Sequence, residues 1–149
     1  MDISRPDKIK PYRTAPTRMR TNRRSIMTAR NDAIRELDAM CRVGRNFCKY
    51  NPSCSKTHEN LKWHIFCFLR DLKKDVVTEA IFTQKRGRAD IVVLDDFLII
   101  EILHSEKLET FEAKAEKYPK VFEIIGVSTT DSLIKIFNDI SEMLELGSK

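Results

Sequence analysis

The feature that most constrains the fold is the stretch GRADIVVLDDFLIIEIL at residues 87–103, which places two carboxylates inside an aliphatic run. The segments DIVVL and FLIIEIL have the β-branched composition of strands, and the DD pair between them is a turn signal. A hairpin closed at that pair brings Val92 opposite Ile99 and Asp90 opposite Glu101. Opposite side chains have Cβ atoms about 4.5–5.5 Å apart, so like charges there are destabilising. The sequence therefore predicts that a cation or a raised pKa accommodates this pair.

A divalent ion with oxygen ligands is the simplest such cation. Mg²⁺ and Mn²⁺ prefer carboxylate ligands and retain several waters, so Asp90 and Glu101 are candidate ligands for either ion. The alternative is that both acids lie at frayed strand ends, where they contact solvent or the nearby Arg86 and Arg88. A slip of one residue in the register would turn one side chain to the other face of the sheet.

Hydrophobic periodicity predicts the other elements of an α/β fold. Ser105 is the predicted N-cap of the helix that follows the hairpin, and Pro119 ends that helix. The predicted elements in chain order are a helix at 25–42, a helix at 59–74, a meander of strands at 76–83, 90–94 and 97–103, a helix after Ser105, a strand at 121–129 and a last helix.

This order of elements, with Glu59 on a helix, Asp90 on the second strand and Glu101 on the third, resembles the PD-(D/E)XK nuclease superfamily. The resemblance covers roughly residues 59–130 and is close in layout to archaeal Holliday-junction resolvases and similar viral nucleases. It implies a restriction-endonuclease-like core with a mixed four-stranded sheet flanked by helices. It also implies that the three acids bind Mg²⁺ or Mn²⁺ for phosphodiester hydrolysis. Junction-cutting relatives assemble as homodimers, and the sequence leaves open whether two copies of this chain do the same.

The chain departs from that superfamily at Leu103, where the family has a lysine two residues after the second acid. A replacement ammonium group would have to come from another element, and Lys85 and Lys107 are the nearest candidates in the sequence. The alternative is that both are ordinary solvated surface lysines. The departure leaves two functions open, an active metal-dependent nuclease and an inactive nuclease-fold protein that binds DNA or RNA.

A second cluster, CRVGRNFCKYNPSCSKTH, has the spacing C-x6-C-x5-C-x3-H. Soft or borderline ligands in a turn-prone segment can surround a tetrahedral Zn²⁺, and the last two spacings resemble the CCCH zinc-finger family. That resemblance covers residues 41–58 and implies stacking of single-stranded bases on Phe47 or Tyr50. The alternatives are a purely structural zinc-binding knot and reduced cysteines that only pack. The predicted zinc ligands are Cys41, Cys48, Cys54 and His58.

The amino-terminal segment is strongly basic. Residues 1–30 contain nine Lys or Arg and two Asp, whereas the whole chain has a net charge of +5. Such an arm favours a nucleic-acid partner, because its cations release counterions from phosphates; the alternative is a solubilising tail. An architectural protein that uses the arm alone would explain neither acid. The predicted contacts to nucleic acid are Arg18, Arg20, Arg23, Arg24, Phe47, Tyr50, Arg86 and Arg88.

The sequence thus divides into three predicted segments. Residues 1–24 are a flexible basic arm, residues 25–58 hold a helix and the zinc-binding segment, and residues 59–149 form the nuclease-like domain. The longest apolar run is short and contains Glu101, and no secretory signal precedes it. We therefore expect an intracellular protein with no membrane partner, in the cytoplasm or associated with the nucleus or nucleoid.

Overall fold

The computed structural model describes residues 23–104 and 107–147. The predicted arm is outside this range except for Arg23 and Arg24, which begin the first helix. The elements in chain order are α1 (Arg23–Arg35), α2 (Ala39–Val43), α3 (Lys56–Asp71), β1 (Val76–Ile81), β2 (Arg88–Val93), β3 (Leu98–Leu103), α4 (Leu108–Lys117), β4 (Glu123–Ser128) and α5 (Leu133–Gly147).

The four strands form one mixed sheet in the order β1-β2-β3-β4. Strands β1, β2 and β3 are antiparallel neighbours, and β4 is parallel to β3. A parallel partner needs a crossover connection, and α4 supplies it between β3 and β4. The predicted α/β fold with a mixed four-stranded sheet flanked by helices is confirmed.

The predicted register of the β2-β3 hairpin is also correct. Val92 pairs with Ile99, and the neighbouring pairs keep the same offset. The backbone pairing ends before the two acids, where Asp90 Oδ2 accepts a hydrogen bond of 2.8 Å from the Ile102 amide. A side chain thus replaces the backbone of β2 as the partner of β3 at this end of the hairpin.

Helices cover both faces of the sheet, which explains why its strands are nearly continuous apolar runs. On one face, Phe111 of α4 and Tyr118, which follows α4, pack with Leu37 against β2 and β3. On the other face, Ile65 of α3 and Ile140 of α5 pack against the opposite side of the same strands. The site described below lies where β2 and β3 stop pairing, between these two layers.

The predicted helix at 25–42 is interrupted. It ends at Arg35, Leu37 forms an isolated bridge with Phe82, and a second short helix follows. Asp38 caps that helix by accepting a 2.8 Å hydrogen bond from the Cys41 amide. The bridge to Phe82 fixes the backbone of Leu37 in an extended conformation. Burial of Leu37 in the core stabilises this conformation more than continuation of the helix would.

Two further helix ends differ from the prediction. Helix α3 begins before residue 59, at Lys56, because Ser55 accepts a 3.1 Å hydrogen bond from the His58 amide and caps it. Ser105 lies outside the described residues, and α4 begins at Leu108 with Lys107 at the N-cap position. Within residues 23–104 and 107–147, no helix combines the length and hydropathy needed to cross a membrane.

Candidate metal centre

Glu101 is the most deeply buried acid of the site, with 1% of its surface exposed. Its Oε1 lies 2.5 Å from the Tyr118 hydroxyl, and its Oε2 lies 3.9 Å from Lys114 Nζ. Burial and the adjacent charge of Asp90 raise the pKa of Glu101 well above the usual value, although Tyr118 and Lys114 oppose that rise. Burial therefore favours the protonated form of Glu101 when no cation binds there.

The pKa of Asp90 is shifted in the opposite direction. Burial would raise its pKa, but hydrogen bonds from His58 and from the Ile102 amide lower the pKa overall. His58 Nε2 lies 3.3 Å from Asp90 Oδ1. The hydrogen bond with Asp90 raises the pKa of His58 even though burial opposes it. The two carboxylates therefore interact, although β2 and β3 do not pair at these residues, and the alternative of frayed, solvated ends does not apply to the buried Glu101.

A second group of potential ligands lies at the start of α3. One ligand atom each from Cys54, His58 and Glu59 lies within 4.8 Å of the other two, so this group could hold a metal ion. The Ser55 cap positions His58 and Glu59 in the first turn of the helix. His58 Nδ1 and Glu59 Oε1 are 3.4 Å apart, and both are buried without a hydrogen-bond partner.

The structure does not bring the four predicted zinc ligands together. Cys41 is buried against β1, where its Sγ accepts a 3.3 Å hydrogen bond from the Ile81 amide. Cys48 packs partly buried against the core beside α3. Burial raises the pKa of both thiols. The group of potential metal ligands among the described residues contains the predicted Cys54 and His58, together with Glu59 in place of Cys41 and Cys48.

Lys62 is fully buried and lies between two acids. Its Nζ is 2.7 Å from Glu59 Oε2 and 3.0 Å from Glu79 Oε1. Burial would lower the pKa of Lys62, but hydrogen bonds to both acids raise it overall. Asn51 completes the network through its amide, 3.3 Å from Glu59, and its side chain, 3.2 Å from Glu79. Glu59 is thus held from one side by Lys62 and Asn51, while its other oxygen faces His58.

Glu79 has an unusual backbone conformation. It lies within β1 but has a φ of 49°, in the left-handed region that non-glycine residues rarely adopt. Strain of this kind persists where surrounding contacts fix it, and it concentrates at functional sites. Here Lys62 and Asn51 hold the carboxylate, and Arg88 Nε lies 3.7 Å from its Oε2.

Several of these groups line a pocket of about 320 Å³. Potential metal ligands and basic side chains both contribute to its lining. An anion that reaches Asp90 or His58 would therefore also meet cationic groups. The lining includes Cys54, His58, Asp90, Arg88, His104 and Lys114.

The other predicted site residues are dispersed. Lys85 and Lys107 are exposed, and neither lines the pocket. Arg86 forms an ion pair of 3.1 Å with Glu36, whereas Arg88 does line the pocket. Phe47 and Tyr50 are exposed, as a base-stacking role requires. Arg18 and Arg20 lie outside the described residues, as do the side chains of Arg23 and Arg24.

Sequence patterns missed four members of the site. Lys62 follows Glu59 by three residues, a spacing that predicts an ion pair on a helix, but nothing local marks it as buried. Lys114 lies on α4 and Tyr118 directly follows that helix, and the side chains of both contact Glu101. Glu79 lies in a strand whose β-branched composition hides its role.

No protein-family model, curated protein or solved structure matches this chain.

Proposed function

We propose that this protein is a metal-dependent nuclease that hydrolyses phosphodiester bonds, with a restriction-endonuclease-like core. The observation that carries the proposal is the pair of the partly buried Asp90 and the buried Glu101 at the end of the β2-β3 hairpin, beside a pocket lined by basic groups. A divalent cation bound there would displace the proton that burial favours on Glu101, because carboxylate ligands bind metal in the deprotonated form. Mg²⁺ or Mn²⁺ fits this pair, because both acids offer oxygen ligands.

The ion would lower the pKa of a bound water and neutralise charge that develops on the phosphate. Asp90 and Glu101 would hold it, each oriented by a second contact. The Ile102 amide fixes Asp90, and the Tyr118 hydroxyl fixes Glu101. Glu59 is linked to this pair through His58. One oxygen of Glu59 faces His58 Nδ1, and Lys62 binds the other oxygen.

The basic side chains would bind the phosphates of a nucleic-acid partner. Arg88 and Lys114 line the pocket and would contact the phosphates on either side of the bond that is cut. The basic residues 1–30 would add affinity independent of sequence, since each neutralised phosphate releases counterions. DNA and RNA both offer this chemistry.

A second candidate function is an inactive nuclease-fold protein that binds nucleic acid. Leu103 favours it, because an apolar side chain buried in β3 stands where the superfamily has its lysine. Such a protein would keep the basic contacts and lose hydrolysis. Binding without cleavage is therefore the outcome that separates the two functions.

The test is a calorimetric titration of Mg²⁺ and Mn²⁺, paired with cleavage assays on labelled single-stranded, duplex and branched DNA and RNA. We expect wild type to bind the ion and cut, and Asp90→Asn to lose both. Glu112→Gln, which removes an exposed acid on α4, is the matched control and should retain both. Salt-sensitive binding of nucleic acid with no cleavage by wild type would instead establish the inactive protein.

Lys114 is our candidate for the missing ammonium group. It lies 3.9 Å from Glu101 and lines the pocket, whereas the sequence candidates Lys85 and Lys107 do not line it. Removing one stabilising cation or donor from such a site costs about 10²–10³ in kcat. We therefore expect Lys114→Ala to lower kcat by that factor, with Mg²⁺ affinity nearly unchanged. Single-turnover cleavage should show near-normal rates for Lys85→Ala and Lys107→Ala, and equal losses in all three variants would contradict this role.

A further inference from the structure

We propose that Cys54, His58 and Glu59 form a zinc site, separate from the Asp90–Glu101 centre and coupled to it through His58. The ligand atoms are Cys54 Sγ, His58 Nδ1 and Glu59 Oε1. This site does not depend on phosphodiester cleavage. It differs from the ligand set that the sequence predicted, because Glu59 takes the place of two cysteines.

Two buried polar atoms without hydrogen-bond partners point to a bound cation. His58 Nδ1 and Glu59 Oε1 are shielded from solvent and make no hydrogen bond, although the great majority of buried polar atoms have a partner. They face each other at 3.4 Å without making a hydrogen bond. A cation between them would satisfy both atoms.

The distances suit a small transition-metal ion. Ligand atoms of Cys54, His58 and Glu59 lie within 4.8 Å of one another. Zinc binds sulfur at about 2.3 Å and nitrogen or oxygen at about 2.0–2.2 Å, which places tetrahedral ligands roughly 3.5 Å apart. A small movement of Cys54, in the partly exposed loop before α3, would complete the geometry.

The donor set selects the class of metal. A thiolate and an imidazole disfavour Mg²⁺ and Ca²⁺, which take oxygen ligands, and they suit Zn²⁺. Three protein ligands leave the fourth tetrahedral position for water or for a substrate atom. Cys54 and His58 both line the pocket, so this open position faces the space where the proposed substrate would bind.

The surrounding contacts have the arrangement that orients metal ligands. With zinc on Nδ1, His58 keeps its proton on Nε2 and donates it to Asp90 Oδ1, 3.3 Å away. Carboxylate–histidine–zinc triads fix the tautomer and the ring in this way. Lys62 and the Asn51 amide hold the other oxygen of Glu59. Asp90 thus serves as a positioning residue for zinc and as a ligand of the neighbouring centre.

The test is titration of the chelator-treated full chain with Co²⁺, followed by displacement with Zn²⁺. Tetrahedral Co²⁺ has strong d–d absorption, and a thiolate ligand adds a charge-transfer band. We expect wild type to show both with one equivalent of Co²⁺. Cys54→Ser should lose the charge-transfer band and at least about 100-fold in Zn²⁺ affinity, because it removes a direct ligand. Asp90→Asn should lose about 10–100-fold, as outer-shell variants do.

Cys48→Ser and Cys67→Ser are the matched controls, since both thiols are partly buried near α3 and neither belongs to the group. Both should retain the band. Circular dichroism establishes that each variant is folded, and His58→Gln, which keeps a polar side chain, is a second test of the same site. A charge-transfer band that survives in Cys54→Ser, or that disappears in Cys48→Ser, would overturn the proposal. So would an absence of stoichiometric Co²⁺ and Zn²⁺ binding by wild type.

The outcomes for the two centres are distinguishable. If wild type shows the Co²⁺ absorption bands but no Mg²⁺-dependent cleavage, the proposed function is overturned and the zinc site is supported. Cleavage by a protein that binds no Co²⁺ or Zn²⁺ would support the nuclease and overturn the zinc site.

Discussion

Lys62→Ala is expected to lower the free energy of unfolding by about 3–5 kcal/mol, because removal of one member of a buried ion cluster leaves uncompensated charges. Lys62 is fully buried, and its ammonium group lies within 3.0 Å of oxygens from both Glu59 and Glu79. Without it, two acids with low solvent exposure would face each other across α3 and β1. Urea unfolding monitored by circular dichroism measures the change.

The chain contains a matched exposed control. Lys135 on α5 also lies between two acids, Asp131 at 2.9 Å and Asp139 at 3.4 Å, but these side chains are about one-third exposed. Water already screens such pairs, so Lys135→Ala should cost no more than about 1 kcal/mol. Equal losses in Lys62→Ala and Lys135→Ala would show that the burial of Lys62 has no special energetic consequence.

Neutralising both acids separates the effect of the unpaired charges on stability from the effect of lost packing. Lys62→Met retains most of the side-chain volume but still leaves both acids unpaired, so it should be nearly as unstable as Lys62→Ala. Adding Glu59→Gln and Glu79→Gln removes the stranded charges and should recover most of the loss, since neutral replacements of whole buried ion clusters are often tolerated. Failure of this triple variant to recover stability would assign the effect to packing.

The sheet could be predicted from the sequence because its signals are local. Alternation and β-branched composition identify the strands, and the turn between them fixes the pairing of Val92 with Ile99. The same register, extended along the two strands, predicts that Asp90 lies beside Glu101. The interrupted helix at Leu37 could not be predicted, because its periodicity is helical and only the bridge to Phe82 breaks it.

The site was harder to predict than the fold, because its members come from distant parts of the chain. The spacing of the cysteines is compatible with one zinc site, but helix α2 turns Cys41 towards β1, where the Ile81 amide bonds to its sulfur. Lys62 and Glu79 meet only through the packing of α3 on β1. Sequence spacing identifies candidate ligands, whereas tertiary packing decides which of them share a site.

Glu101→Gln is expected to abolish metal-dependent cleavage and yet leave the fold intact. Glutamine has the shape of a protonated glutamate, the form that the raised pKa of Glu101 favours because of burial and the charge of Asp90. The amide can still contact Tyr118, but it cannot become an anionic ligand. Loss of one ligand removes several kcal/mol of transition-state stabilisation, which corresponds to about 10³ or more in kcat.

The pH dependence of stability gives an independent check on the same substitution. A raised pKa in the folded state means that the contribution of Glu101 is fully present below its unfolded-state pKa, near 4.5, and is lost as the pH rises through the folded value. Wild type without metal should therefore match Glu101→Gln in acid and become the less stable of the two as the pH rises. Urea unfolding of chelator-treated samples, between about pH 4 and about pH 9, measures this difference.

Metal should reverse that order, because the ion stabilises the deprotonated form of Glu101 in wild type and has no comparable ligand in the variant. With excess Mg²⁺ at high pH, wild type should regain stability while Glu101→Gln does not change. The same experiment predicts that Mg²⁺ affinity rises with pH, since binding releases the proton of Glu101. A variant that is destabilised in acid, or that responds to Mg²⁺ as wild type does, would show that Glu101 is a structural acid and no metal ligand.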